Sequence, residues 1–122
     1  MNKERKYDLN ERLIDYGVLV IDVIRKLPND RVGNHMGGQL LRSGTSPSLN
    51  YGEAQAAESK KDFIHKLKIG LKELRESINT ITILERSGYI QVNGELRGET
   101  NELISIFVKS IQTTLKGMNK NG

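Results

Sequence analysis

Apolar residues recur at intervals of three and four in three long segments of this chain, and only short breaks separate the segments. That spacing places the apolar groups of each segment on one helix face, which must be buried against another element. From about residue 8 to 27, Leu9, Leu13, Val20, Ile24 and Leu27 share a face that Ile14 and Ile21 broaden. From about 59 to 87 the stripe is Phe63, Leu67, Leu71, Leu74, Ile78 and Ile81, and from about 95 to 116 it is Leu96, Leu103, Phe107, Ile111 and Leu115. Residues 31–57 also read as helix, with Gly37, Gly38, Gly44 and Pro47 inside it. Pro28 and the Asn29-Asp30 turn stop the first helix, and Ser59 caps the third, with Asp62 in a shortened capping box. Gly88 suits a left-handed C-cap, and Asn93-Gly94 is a turn signal. Tyr89 to Val92 has strand character, but no second strand follows it. Short connections between amphipathic helices predict an all-α, up-down antiparallel four-helix bundle.

Pro47 strains this scheme. Inside a helix it removes one backbone hydrogen bond and clashes with the preceding turn, at a cost of about 3 kcal/mol without compensation. Either the second helix kinks near Pro47, or it breaks there and Ser46 caps a new helix with Pro47 at its first position.

The 122 residues suit one domain, 1–122, with disordered ends expected at 1–6 and 117–122. Aromatic residues are 5% of the chain and Trp is absent, so the core rests on Leu, Ile and Val. The absence of Cys rules out disulfides, thiolate metal sites and cysteine nucleophiles. The start, MNKERKYDLNERL, lacks the apolar core of a signal peptide, and the longest apolar run, Val18 to Ile21, is too short to span a bilayer. A soluble, cytoplasmic protein with no membrane partner is expected. A net charge of +4 permits binding to a polyanion without requiring it.

Two helical stripes carry the functional reading. Gln39, Ser43, Ser46, Asn50, Glu53 and Ala57 share one face, small and polar where a core helix would be apolar. It is either a solvated face or a contact surface between helices or subunits. Leu40 and Tyr51 lie to one side of it and Leu41 and Leu49 to another, so the second helix is apolar around much of its circumference. Such a helix has more than one packing partner, which favours an interface. Lys61, His65, Lys68, Lys72 and Arg75 form a basic ridge on the third helix. It has the geometry to grip a phosphate backbone. The simpler account, slightly ahead on the residues alone, is a solvated flank with local Asp62–Lys66 and Lys72–Glu76 pairs. Phe63 belongs to the core stripe, so base stacking is not expected from this helix.

Catalysis has little support. His35 and His65 lie on different helices without triad spacing, and no Glu-x-x-His motif occurs, so no catalytic residue, metal or cofactor is expected. GNHMGGQ lacks the Gly-Lys-Ser/Thr ending of a phosphate loop. A site built from Glu53, Glu73 and His65 would need a bound metal or a deep pocket joining them.

The ordered set Gln39-Leu40-Leu41-Arg42-Ser43-Gly44-Thr45-Ser46, Asn50-Tyr51-Gly52-Glu53-Ala54, Ser59-Lys60-Lys61-Asp62-Phe63, Leu71-Lys72-Glu73 and Glu76-Ser77 resembles the four-helix bundle proteins of the 23S rRNA intervening-sequence type, also called S23-like. Many members have Gly where this chain has Ala54. Members close to this pattern often carry an aromatic pair where Ile78-Asn79-Thr80 stands here. The resemblance covers most of the chain. It implies a bundle that assembles as a ring, a homopentamer, with no known catalysis. A similar bundle, the accessory variability determinant of diversity-generating retroelements, is basic and works with a reverse transcriptase and nucleic acid. Together these readings lead to a non-enzymatic homo-oligomer that binds RNA or DNA through charge. Lys61, Lys68, Lys72 and Arg75 are the expected phosphate contacts, with Arg42 a weaker addition. Gln39, Ser43, Ser46, Asn50 and Glu53 are the expected oligomer interface. The alternative is a protein-interaction scaffold that does not bind nucleic acid.

Overall fold

The computed structural model describes residues 8–121, which form four helices: α1 (Leu9–Arg25), α2 (Arg31–Gln55), α3 (Lys60–Arg86) and α4 (Gly94–Asn121). Each packs on its neighbour in sequence, and the first and last helices touch least, as an up-down bundle requires. No strand occurs among the described residues, and no described helix is long and apolar enough to cross a membrane. The disorder expected at 1–6 lies outside the described residues. The fourth helix runs to Asn121 rather than stopping near 116.

The helix ends follow from the local chemistry. Asp8 caps α1 by accepting from the Asn10 and Glu11 N–H groups, and Asp30 caps α2 by accepting from Gly33 at 2.7 Å. The Pro28 carbonyl folds so closely over this turn that a Cβ on Gly33 would lie 2.1 Å from it, so only glycine fits. Ser59 accepts from Asp62 N–H at the start of α3. That helix ends in a Schellman turn: Gly88 takes φ +80°, its N–H reaches the Glu85 carbonyl, and Tyr89 N–H reaches Leu84. Asn93, expected as a turn residue, also caps α4, its side chain accepting from Leu96 N–H.

Helix α2 continues through Pro47. The alternative in which Ser46 caps a new helix fails, because the Ser46 hydroxyl turns back to donate to the Arg42 carbonyl at 2.6 Å. Thr45 does the same to Leu41, also at 2.6 Å.

The core is built from both expected and unexpected positions. Leu13, Val20, Leu40, Leu67, Leu74, Ile81, Leu96, Leu103 and Phe107 are buried, joined by Tyr16, Val23, Ile64 and Leu84. On α3 the buried line is rotated: Phe63, Leu71 and Ile78 are only half-buried, while Gly70, Ser77 and Thr80 face inward. The small residues draw neighbouring helices close, so the narrow side of α3 becomes its core side. Ile14 and Leu115 are exposed. For Leu115 the cause is length. Contacts of Arg12 with Glu99 and of Tyr16 with Thr100 set the N-terminal half of α1 against the N-terminal half of α4. The last turns of α4 therefore extend past the described part of α1.

Four hydroxyls, one from each helix, meet in the core as two hydrogen-bonded pairs. Ser43 (α2) and Ser77 (α3) are hydrogen-bonded at 2.8 Å. Tyr16 (α1) is hydrogen-bonded to Thr100 (α4) at 2.7 Å, and its phenol oxygen lies beside the Ser77 hydroxyl. Thr100 commits its proton to the Leu96 carbonyl, so the Tyr16 phenol donates to Thr100. All four side chains are buried.

The α3–α4 connection is held by Glu85. Its carboxylate accepts from Arg97 and from Asn93 N–H, and Arg97 also donates to Thr82. Burial pushes the Glu85 pKa up, but the Arg97 and Asn93 hydrogen bonds and the Arg97 charge outweigh it and leave the pKa below the ordinary value. A carboxylate with a depressed folded pKa stabilises the fold above its unfolded pKa, and that contribution is lost as pH falls through the folded pKa. Thermal unfolding followed from neutral pH down through the carboxylate range should show the midpoint falling, and Glu85→Gln should flatten part of that fall. A variant with the wild-type pH slope would remove Glu85 from this role.

Candidate nucleic-acid interface

The ridge of α3 follows directly from the buried line on the same helix. With Ile64, Leu67, Leu74 and Ile81 pointing inward, Lys61, His65, Lys68, Lys72 and Arg75 lie on the opposite side, and all five are exposed. They run from 61 to 75, about 21 Å along the helix axis. Lys68, Lys72 and Arg75 also line a shallow concavity of about 320 Å³ with Leu71, Glu76 and Asn79.

The local pairs that would make the ridge a neutralised flank do not form. Lys66 turns from Asp62 to Glu53, at 4.0 Å. Glu76 and Glu73 turn to α2, where Arg42 holds Glu73 at 2.7 Å and Glu76 at 3.2 Å. Among the described residues, no ion pair involves Lys61, His65, Lys68, Lys72 or Arg75. Arg42 thus leaves the ridge basic by engaging the carboxylates beside it. The same contact sets Arg42 apart from the other expected phosphate contacts, because a phosphate would have to displace two carboxylates. Sequence spacing puts Glu73 and Glu76 one turn apart on α3, but it does not show that an arginine on α2 lies opposite.

The polar stripe of α2 is divided by the fold. Ser43 is 1% exposed and bonded to Ser77, so α3 of the same chain covers it. The Asn50 Cβ faces Gly70 of α3, and its buried Oδ1 has no hydrogen-bond partner among the described residues. Ser46 is half-buried, while Gln39 and Glu53 are exposed. Most of the stripe's middle is therefore a helix–helix contact within the bundle, and only its outer members remain for a second copy. The exposed apolar side of α2 carries Leu41 and Leu49, with Gly38 and Gly52 on the same face and open space above both glycines.

His35 and His65 are exposed on separate helices. Among the described residues no cluster of three His, Asp or Glu side chains is placed to hold a metal. Glu73 is bound to Arg42 and Glu53 lies near Lys66, so each carboxylate of the alternative His65 site has a cationic neighbour.

No curated protein matches the chain. A crystal structure of a protein of unknown function from the S23 ribosomal protein family of Bacteroides thetaiotaomicron is 31% identical to it. The match has a TM-score of 0.77 and covers 84% of this chain and 96% of that one. Residues 5–109 match the family model described as 23S rRNA-intervening sequence protein. With the four-helix bundle already established from its own contacts, the match over most of its length places this chain in the 23S rRNA-intervening sequence protein family.

Proposed function

We propose that the protein is a non-enzymatic, homo-oligomeric bundle that binds RNA or DNA through the α3 ridge. The observation that carries this reading is the row Lys61, His65, Lys68, Lys72 and Arg75, exposed together without an ion pair among the described residues. A single outward helix face with this spacing meets a phosphate backbone without reading its sequence. The likeness to retroelement accessory proteins, which work with a reverse transcriptase and nucleic acid, supports the same reading. Self-association is supported by the outward face of α2, where Leu41 is 44% and Leu49 71% exposed.

Binding to a mixed-sequence RNA should weaken linearly on a log–log plot against salt. Neutralising Lys68, Lys72 and Arg75 to Gln should lower affinity for all sequences alike and reduce the salt slope by roughly one for each lost contact. Arg42→Gln should have a smaller effect on binding, since its guanidinium already holds Glu73 and Glu76. Fluorescence anisotropy over a salt series measures all three. A wild-type protein that ignores RNA and DNA at low salt would sink the reading.

A further inference from the structure

The outward face of α3 does not end at Arg75. The spacing that sets the ridge continues through Asn79 and Ile83 to Arg86, at intervals of four, four and three. All three are exposed. Helix α3 is unbroken from Lys60 to Arg86, so the face from Lys61 to Arg86 runs about 37 Å along one axis. Its cations fall into two groups: the ridge, and Arg86 about 16 Å beyond Arg75, with uncharged Asn79 and Ile83 between them.

Arg86, like the ridge, takes part in no ion pair among the described residues. The cause is also alike. Glu85 stands next to Arg86 in the chain, but its side chain is 7% exposed and is held by Arg97 of α4 and by Asn93 N–H. Arg42 of α2 holds Glu73 and Glu76 in the same way. Arginines of both neighbouring helices thus draw carboxylates of α3 aside, and none of the outward positions from Lys61 to Arg86 is acidic.

The form of this face selects a ligand. It carries no aromatic residue, so unpaired bases find nothing to stack on. Affinity must then come from phosphate charge, and a duplex carries about one charge per 1.7 Å of its axis, twice the density of one strand. A duplex is also stiff over this distance, so it loses little freedom by lying along a helix. After one turn, about 34–36 Å, a strand returns to the same side of the duplex, close to the separation of Lys61 and Arg86.

We infer that α3 binds double-stranded nucleic acid along its whole length, with Arg86 as a second phosphate contact one duplex turn from Lys61. This deepens the nucleic-acid reading and rests on it. The uncharged stretch at Asn79 and Ile83 lies over a groove, between the two places where the duplex backbone meets the helix.

The test is fluorescence anisotropy with hairpin-closed duplexes of about 6 and about 16 base pairs, roughly 20 and 54 Å long. A single strand with as many phosphates as the longer duplex is the third probe. Each is made in DNA and in RNA, and a duplex of either kind satisfies the inference. In about 0.1 M salt the longer duplex should bind roughly tenfold more tightly than the single strand. Arg86→Gln, an exposed substitution in the last turn of α3, should weaken the longer duplex roughly fivefold and lower its salt slope by about one. The shorter duplex, which the ridge alone can cover, should keep its wild-type affinity. A single strand that binds as tightly as the longer duplex overturns the inference. So does an Arg86→Gln variant that leaves the longer duplex at wild-type affinity or weakens both duplexes equally. In each of those cases the ridge itself still binds nucleic acid. Wild type that binds no probe at low salt defeats the ridge reading and the inference together.

Discussion

Phe107→Ala is expected to cost about 3–5 kcal/mol of stability, enough to leave a bundle of this size near its unfolding threshold. Phe107 is fully buried, its ring lies 6.5 Å from Tyr51, and its edge fills the space above Gly70. A Cβ on Gly70 would sit 2.6 Å from Phe107 Cε2 and 3.4 Å from Asn50 Cβ. The ring is packed on its other side, so Gly70→Ala alone should destabilise by about 1–3 kcal/mol through overpacking. With Phe107→Leu the ring edge is gone, and the same Gly70→Ala should become neutral or stabilising, because alanine exceeds glycine by about 1 kcal/mol in a helix interior. Urea unfolding of the four chains in this cycle measures the coupling. Additive effects would show that Gly70 is not there for the ring.

This pair also shows why only part of the molecule is legible in its sequence. Spacing identifies four helices and most of the core because the pattern is local: Leu13, Val20, Leu67, Leu74, Ile81 and Leu103 each repeat a neighbour one or two turns away. The caps are equally local, and Asp8, Ser59 and Gly88 behave as their chemistry dictates. The inward placement of Gly70, Ser77 and Thr80 is not local. It depends on which residue of another helix stands opposite, and a polar or small residue on one strip does not reveal that. Hence Phe63, Leu71 and Ile78 read as core but lie at its margin.

The candidate site divides in the same way. The row of cations on α3 is visible from spacing alone. Its freedom from ion pairs is not, because nearby Glu73 and Glu76 are equally placed to neutralise it until Arg42 is seen across the α2–α3 contact. The α2 stripe is the converse case: spacing leaves it either a solvated face or a contact surface between helices or subunits, and cannot say that Ser43 meets α3 of its own chain.

The second large effect concerns the hydroxyls that meet between the four helices. Tyr16→Phe keeps the ring and the packing volume but removes the hydroxyl that bonds Thr100 and lies beside Ser77. Thr100 keeps its bond to the Leu96 carbonyl and Ser77 keeps Ser43, so neither hydroxyl is left alone. The expected cost is therefore that of a buried hydrogen bond with partly compensated partners, about 1–2 kcal/mol. Ser77→Ala leaves Ser43 without its cross-helix partner and should cost a similar amount. If the hydroxyls act as one network, the cost of combining the two substitutions should depart from their sum, because the Tyr16 phenol lies beside the Ser77 hydroxyl. Equilibrium unfolding of the two single variants and the double variant provides the cycle. A fully additive double variant would mean that the two pairs act independently. A coupling energy would mean that the two pairs set the helix heights together, since a shift of one turn in α1 would carry the Tyr16 hydroxyl away from Thr100 and from its place beside Ser77. Apolar side chains tolerate such a shift more readily, because dispersion contacts are not directional, whereas a buried hydroxyl without a partner is costly. In a core built mainly of Leu, Ile and Val, these four polar groups are then what selects one helix register.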